Sequence, residues 1–406
     1  MSERAYEKLI RYSAFERASD ENSETCPSTK NQFSFAEVLR DELIDIGASD
    51  VYLDENGYVY AVIKATDENY EGKTVAFIAH MDVSPDAPST GIKPCIKKYD
   101  GTDIVLDNGM TLSEKEFPEL SEYRGKTLLV TTGDTLLGAD DKAGIAEIMC
   151  AAEILINNKD IKHGDVKICF TPDEEIGRGA DRLNLERLNA DCGFTMDGDM
   201  FGGVEYETFN AAAVHVEFKG FNVHPGSAKG KLKNATLMAT EFVASFPDDE
   251  RPETTDGYEG YYFINRIKGD SENACIDMLI RDHDREKFEK RKDFVSETVN
   301  KIKSMYGKEC CEAQIKDSYY NMKEKILPDN QFLIDAAYEA VKKAGGVPFS
   351  KPVRGGTDGA MLSFKGLPCP NLGTGCGNYH SRMEYACIED MDKCIDVIIN
   401  IIKELA

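Results

Sequence analysis

Short apolar runs alternate with longer amphipathic stretches through the first half of the chain. Thr74–Ala79 (TVAFIA), Thr127–Thr132 (TLLVTT), Val166–Thr171 (VKICFT) and Cys192–Met196 (CGFTM) read as buried strands, because their apolar positions run on without a solvent-facing phase. Between them, Ala143–Asn157 (AGIAEIMCAAEILIN) has the length and composition of a helix. The alternation predicts an α/β layer, a mixed, mostly parallel sheet flanked by helices on both faces. His80, Asp140, Glu175 and Asp197 then fall just past strand ends or at a helix start, which is where open α/β sheets place their sites.

From about Ala211 the period changes. Ala211–Phe218 (AAAVHVEF) alternates, Leu232–Phe246 reads as a helix, Tyr261–Ile267 and Ala274–Arg281 as strands, Arg285–Tyr306 as a long charged helix, and Cys311–Lys316 as a closing strand. The order β-α-β-β-α-β is the split pattern of a ferredoxin-like α+β module. Beyond Tyr319 the α/β texture returns, with helices predicted near Gln331–Ala344 and Asp390–Leu405. The organisation expected is therefore a discontinuous catalytic domain, residues 1–210 and 321–406, with an inserted lid domain at 211–320.

At 406 residues with 41% hydrophobic content the chain can bury a sizeable core. Its formal charge of -25 repels phosphate backbones and anionic membrane surfaces, so nucleic acid and membrane are poor partners. The charged, amphipathic start MSERAYEKLIRYSAFERASD has no apolar signal region, and no apolar run reaches spanning length. Twelve cysteines without a CxxC pair, several inside apolar runs, read as reduced core residues of a cytoplasmic protein. The adjacent Cys310-Cys311 suggests no function.

Candidate chemistry lies at two acidic doublets, Asp140-Asp141 and Glu174-Glu175, set between His80 and His380. Imidazole nitrogen and carboxylate oxygen are zinc donors, and a metal pair about 3.5–4 Å apart needs a carboxylate able to bridge it. In AHMD, His80 and Asp82 leave one face of an extended segment, so Asp82 can hold the ring nitrogen that does not bind metal. One of the two aspartates in LLGADDKAG is expected to cap the helix that follows. In TPDEEIG, one glutamate can face a metal and the other a water, or both can form a solvated surface pair.

Taken together, HMD, GADDKAG, DEEIG, MDGD, NVHPG, IRDHD, RGGTDGA and NYHSRMEY resemble the dinuclear-zinc exopeptidase family that includes carboxypeptidase G and succinyl-diaminopimelate desuccinylase. PSTKNQ, FNAAAVHV, DSYYNM and the long run RGGTDGAMLSFKGLPCPNLGTG are similar to its tripeptide-aminopeptidase branch. The resemblance implies two Zn²⁺ per subunit, with Mn²⁺ or Co²⁺ able to substitute. Asp140 would bridge, His80 and Asp197 would complete one site, and Glu175 and His380 the other. Glu174 becomes the general base and Asp82 the orienter of His80. His224 would reach the substrate when the lid closes, from a partner subunit if the protein is a homodimer. Arg281 and Arg354 are candidates for a peptide carboxylate or carbonyl, because planar guanidinium pairs well with carboxylate, although either can serve a structural ion pair.

The activity implied is release of the N-terminal residue from short unblocked peptides, chiefly tripeptides. The alternatives are an amidohydrolase or carboxypeptidase of the same family, and a catalytically silent peptide-binding protein, which would have no need of Glu174. Ser381-Arg382 after the last ligand, and Gly-Asp after Asp197, depart from the family pattern and leave pocket charge undetermined.

Overall fold

The computed structural model describes residues 3–15, 18–66, 70 and 72–405; residues 1, 2, 16 and 17 of the charged N-terminal stretch lie outside them. The chain divides into two compact units, one formed by 1–206, 324–350 and 357–406, the other by 207–323 and 351–356. No helix among the described residues is long and apolar enough to cross a membrane.

The first unit is built on a seven-stranded sheet in the order Ser49–Leu53, Val59–Ile63, Val166–Thr171, Val75–His80, Cys192–Gly198, Asn371–Gly373, Val204–Glu205. Its four central strands run parallel, and the flanking pairs are antiparallel. Every residue of Val75–His80 and of Val166–Thr171 is buried, as strands covered on both faces require. Ala76 and Ile78 pack with Tyr58, Tyr60, Leu362 and Leu367 on one side. The helix Ala139–Asn157 also packs on this central strand and on Cys192–Gly198, beside the helices Ala5–Ser13 and Ile388–Glu404.

One predicted strand belongs elsewhere. Thr127–Thr131 is not in the main sheet but in a second, four-stranded sheet with Pro94–Lys98, Tyr385–Cys387 and Cys376–Gly377. Its buried run TLLVT satisfies either sheet, because continuous burial does not encode which neighbour pairs with it.

The second unit is an antiparallel sheet in the order Tyr261–Gly269, Asn273–Asp282, Asn210–Lys219, Cys311–Tyr319. The helices Ala235–Val243 and Arg285–Tyr306 pack on it. Ala212, Val214, Val216 and Phe218 alternate into a core with Ile276, Met278, Ile280, Phe288 and Val295, the period-two burial of a sheet with one covered face. Cys310 and Cys311 lie in that core, with sulfurs directed at the carbonyls of Ile302 and Val299.

Gly144 sets the closeness of helix and sheet beneath the candidate site. A Cβ there would overlap the carbonyl oxygen of Met196, the residue before Asp197. Glycine to alanine in a helix normally stabilises by roughly 0.5–1 kcal/mol, whereas here the added carbon has to displace backbone, at about 1–3 kcal/mol. Gly144→Ala should therefore lower the thermal midpoint by a few degrees in differential scanning fluorimetry. An unchanged or raised midpoint would contradict this packing.

Candidate metal centre

Three neighbouring parallel strands end side by side. His80 is the last residue of its strand and lies opposite Thr171, while Ile78 lies opposite Thr195, which brings Asp197 level with His80. The Glu174–Ile176 turn follows Thr171 by three residues. The register of these central strands thus delivers His80, Asp197 and the glutamate doublet to one edge.

Asp140 stands between two imidazoles. Its Oδ1 is 2.8 Å from His80 Nε2 and its Oδ2 is 3.3 Å from His380 Nε2. Asp197 Oδ1 approaches the same His80 nitrogen at 3.4 Å, and Glu175 Oε2 the same His380 nitrogen at 2.8 Å. The outcome is two donor groups, His80–Asp140–Asp197 and Asp140–Glu175–His380, each with its ligand atoms within 4.8 Å of one another. His80 is buried, whereas His380 is 42% exposed at the rim and holds a left-handed φ of 56°.

Around these donors, further carboxylates accept hydrogen bonds from the backbone. Asp82, fully buried, accepts from the N–H groups of Glu174 and Glu175 at 3.1 and 3.2 Å, and its Oδ1 lies 3.4 Å from His80 Nδ1. The nearer partner of that nitrogen is the Asp82 backbone carbonyl at 3.1 Å, so Asp82 holds the ring chiefly through its main chain and the glutamate turn through its carboxylate. Asp173 anchors that turn from the other side, accepting from the N–H and hydroxyl of Ser28 and from Gln32 Nε2. Asp141 Oδ2 accepts from the His80 N–H at 3.0 Å, and both Asp140 and Asp141 keep non-helical φ/ψ where the helix begins. Glu384 accepts from the N–H groups of Leu137, Gly138 and Asp140. Asp173, Asp141 and Glu384 were not predicted as site residues, because an acid that accepts backbone N–H groups from a distant segment leaves no local signal.

So many carboxylates share one edge that their charges oppose one another. Burial, with the charge of Asp140, pushes Glu175 up to about 8 despite His380. Burial likewise brings Asp197 up to about 6 and, with the charge of Asp197, lifts Glu174 well above the usual range. Hydrogen bonds to the carboxylates of Asp140 and Glu175 raise His380 to about 11. Burial opposes charge on His80, but Asp140, Asp197 and Asp82 together raise it well above its ordinary value. Glu175 Oε1 is buried with no hydrogen-bond partner. Excess negative charge, an orphaned ligand oxygen and a carboxylate shared between two imidazoles fit a pair of divalent cations.

The profile of peptidase family M20/M25/M40 matches residues 133–404. Peptidase T of Bacillus licheniformis is 47% identical over 406 residues, covering 99% of this chain and 98% of its own. Peptidase T of Clostridium perfringens is 48% identical over 401 residues, covering 98% of each chain. The chain belongs to peptidase family M20/M25/M40. Its fold is that of the aminopeptidase PepT from Bacillus cereus, with TM-score 0.78, 24% identity and coverage of 99% and 98% of the two chains. It is also that of Bacillus subtilis YXEP, described as a dinuclear metal binding peptidase from this family, with TM-score 0.66, 14% identity and coverage of 98% and 96%.

The three remaining predicted residues lie in the second unit. His224 is exposed, and its Nδ1 accepts from the Gly226 N–H. Arg281 stacks over Tyr319 at 5.0 Å and keeps a buried Nη1 without a hydrogen-bond partner. Arg354 donates to the carbonyls of Gly257 and Glu259 and to Thr255 Oγ1. Ser381, at the departure from the family pattern, donates to the Asn378 carbonyl and accepts from the Met383 N–H, so it shapes the loop that carries His380.

Groups held above their ordinary pKa bind more protons folded than unfolded, so their contribution to stability falls as pH rises. For Asp197, raised to about 6, Glu175, raised to about 8, and His380, raised to about 11, the loss extends upward from the weakly acidic range. In excess chelator the thermal midpoint should fall between about pH 5 and pH 8, and saturating divalent metal should offset the fall while releasing protons. A chelated protein whose midpoint rose over that range would contradict the charge balance.

Proposed function

We propose that this peptidase is a zinc-dependent aminopeptidase that releases the N-terminal residue from short unblocked peptides, chiefly tripeptides, in the cytoplasm. The observation that carries the reading is Asp140, whose two oxygens face two different histidines. His80, Asp140 and Asp197 would hold one Zn²⁺, and Asp140, Glu175 and His380 the other; Mn²⁺ and Co²⁺ accept the same donors. When bound, the pair supplies Lewis acidity at the scissile carbonyl and a water of lowered pKa. The aminopeptidase assignment is supported by full-length relatives named peptidase T at 47–48% identity.

Glu174 belongs to neither donor group and has its backbone fixed by Asp82. That leaves its carboxylate free for proton transfer: it takes a proton from the attacking water and delivers it to the leaving amine. Asp82 acts through His80 and through the glutamate turn. Of the two arginines, Arg281 is the stronger candidate for a peptide carboxylate, since its Nη1 is unpartnered whereas Arg354 donates to Thr255, Gly257 and Glu259. His224, exposed on its turn, is assigned to the substrate.

Exhaustive chelation should abolish hydrolysis and Zn²⁺ should restore it; full turnover by protein shown to be metal-free would refute the mechanism. Glu174→Ala should retain both metals and lose about 10²–10⁴-fold in kcat. Glu175→Ala should instead weaken metal binding, and an exchange of the two phenotypes would mean that the doublet is assigned backwards. A tripeptide with a free amine should be cleaved far better than its N-acetyl form, with products read by mass spectrometry. Equal cleavage of both would replace the aminopeptidase reading with an amidohydrolase or carboxypeptidase using the same centre.

A further inference from the structure

Glu384 is 2% exposed and supplies no atom to either donor group, yet its carboxylate accepts from three backbone amides beside the centre, one of them that of Asp140. Oε2 accepts from the N–H groups of Leu137 and Gly138, both at 2.7 Å, and Oε1 accepts from the N–H of Asp140 at 3.0 Å. Its position follows from the second sheet. Ala386, two residues on, pairs with Leu129, which brings Glu384 beside the loop that leaves Thr131 and ends at Asp140. His380 lies four residues before it. One carboxylate therefore ties together the two segments that supply Asp140 and His380.

Gly138, where the loop turns into the helix, takes a left-handed φ of 73° and has no side chain to accept from the amides around it; Glu384 accepts from its N–H and from those of Leu137 and Asp140. One of these amides is that of Asp140 and the other two lie in the loop that carries it, so a single buried carboxylate limits the freedom of Asp140.

We infer that Glu384 is a positioning residue that fixes Asp140 between His80 and His380 and so controls both metal sites at once. The inference rests on the two-metal reading of the centre. A ligand that belongs to a single group, such as Asp197, governs one site, whereas moving Asp140 disturbs both. Glutamine at this place keeps one oxygen for two of the amides but turns an NH₂ group towards the third, donor against donor.

The test compares wild-type protein with Glu384→Gln and with a control, Glu389→Gln, whose parent carboxylate holds the N–H and hydroxyl of Thr127 in the same sheet. Zn²⁺ affinity is read by chelator competition and geometry by the absorption spectrum of the Co²⁺-loaded protein. Glu384→Gln should weaken both metal-binding steps by about 10–100-fold, the range for residues behind metal ligands, and should shift the Co²⁺ spectrum. The control should do neither. If Glu384→Gln does not fold, Glu384→Asp, which keeps the charge on a shorter arm, should give an intermediate loss in both steps. Wild-type protein that took up two ions, with a glutamine or aspartate variant unchanged in affinity and spectrum, would overturn the positioning role alone. Wild-type protein that failed to take up two ions would overturn the two-metal reading and this role with it.

Discussion

The centre depends on like charges held closer than they would choose. Asp140, Asp197, Glu174 and Glu175 share one edge of a buried sheet with two imidazoles, and burial drives the pKa of three of them upward. Such an arrangement is costly without cations and close to neutral with them. Strand register sets His80 and Asp197 side by side, while the segments that carry Asp140 and the glutamate doublet are held by their backbone hydrogen bonds to Glu384 and Asp82.

A second layer of acids makes this possible. Asp82 holds the glutamate turn, Asp141 the end of the His80 strand, Asp173 the chain before the doublet and Glu384 the loop into Asp140. Each exchanges hydration for backbone N–H groups that would otherwise be buried unpaired. The acidic composition of the site therefore divides by partner: acids facing imidazoles can hold metal, and acids facing amides hold the backbone. Glu174 falls in neither donor group, in keeping with the proton-transfer role proposed for it.

Much of this was legible in the sequence wherever burial imposes a period. Val166–Thr171 and Arg285–Tyr306 have the predicted bounds, and the β-α-β-β-α-β unit follows from alternation alone. The strand at Thr127 was recognisable but its sheet was not, since an apolar run does not name its neighbour. Ser49–Leu53, Val59–Ile63 and the helix Asn31–Ile46 went unrecognised; the first two reach the sheet only through antiparallel edge pairing. The residues that converge at the centre carry motifs. The acids behind them do not, because Glu384 differs from a solvated surface acid only through partners more than two hundred residues away. Arg354 shows the converse: its residue type suggested a substrate carboxylate, and its donors go to carbonyls of its own unit.

Whether Asp140 is shared between two metal ions is tested by anomalous diffraction at the zinc edge from crystals of the Zn²⁺-loaded protein. Two peaks about 3.5–4 Å apart are expected, one beside His80 and Asp197, the other beside Glu175 and His380, with the Asp140 carboxylate between them. A single peak, or two peaks of which only one touches Asp140, would contradict that sharing.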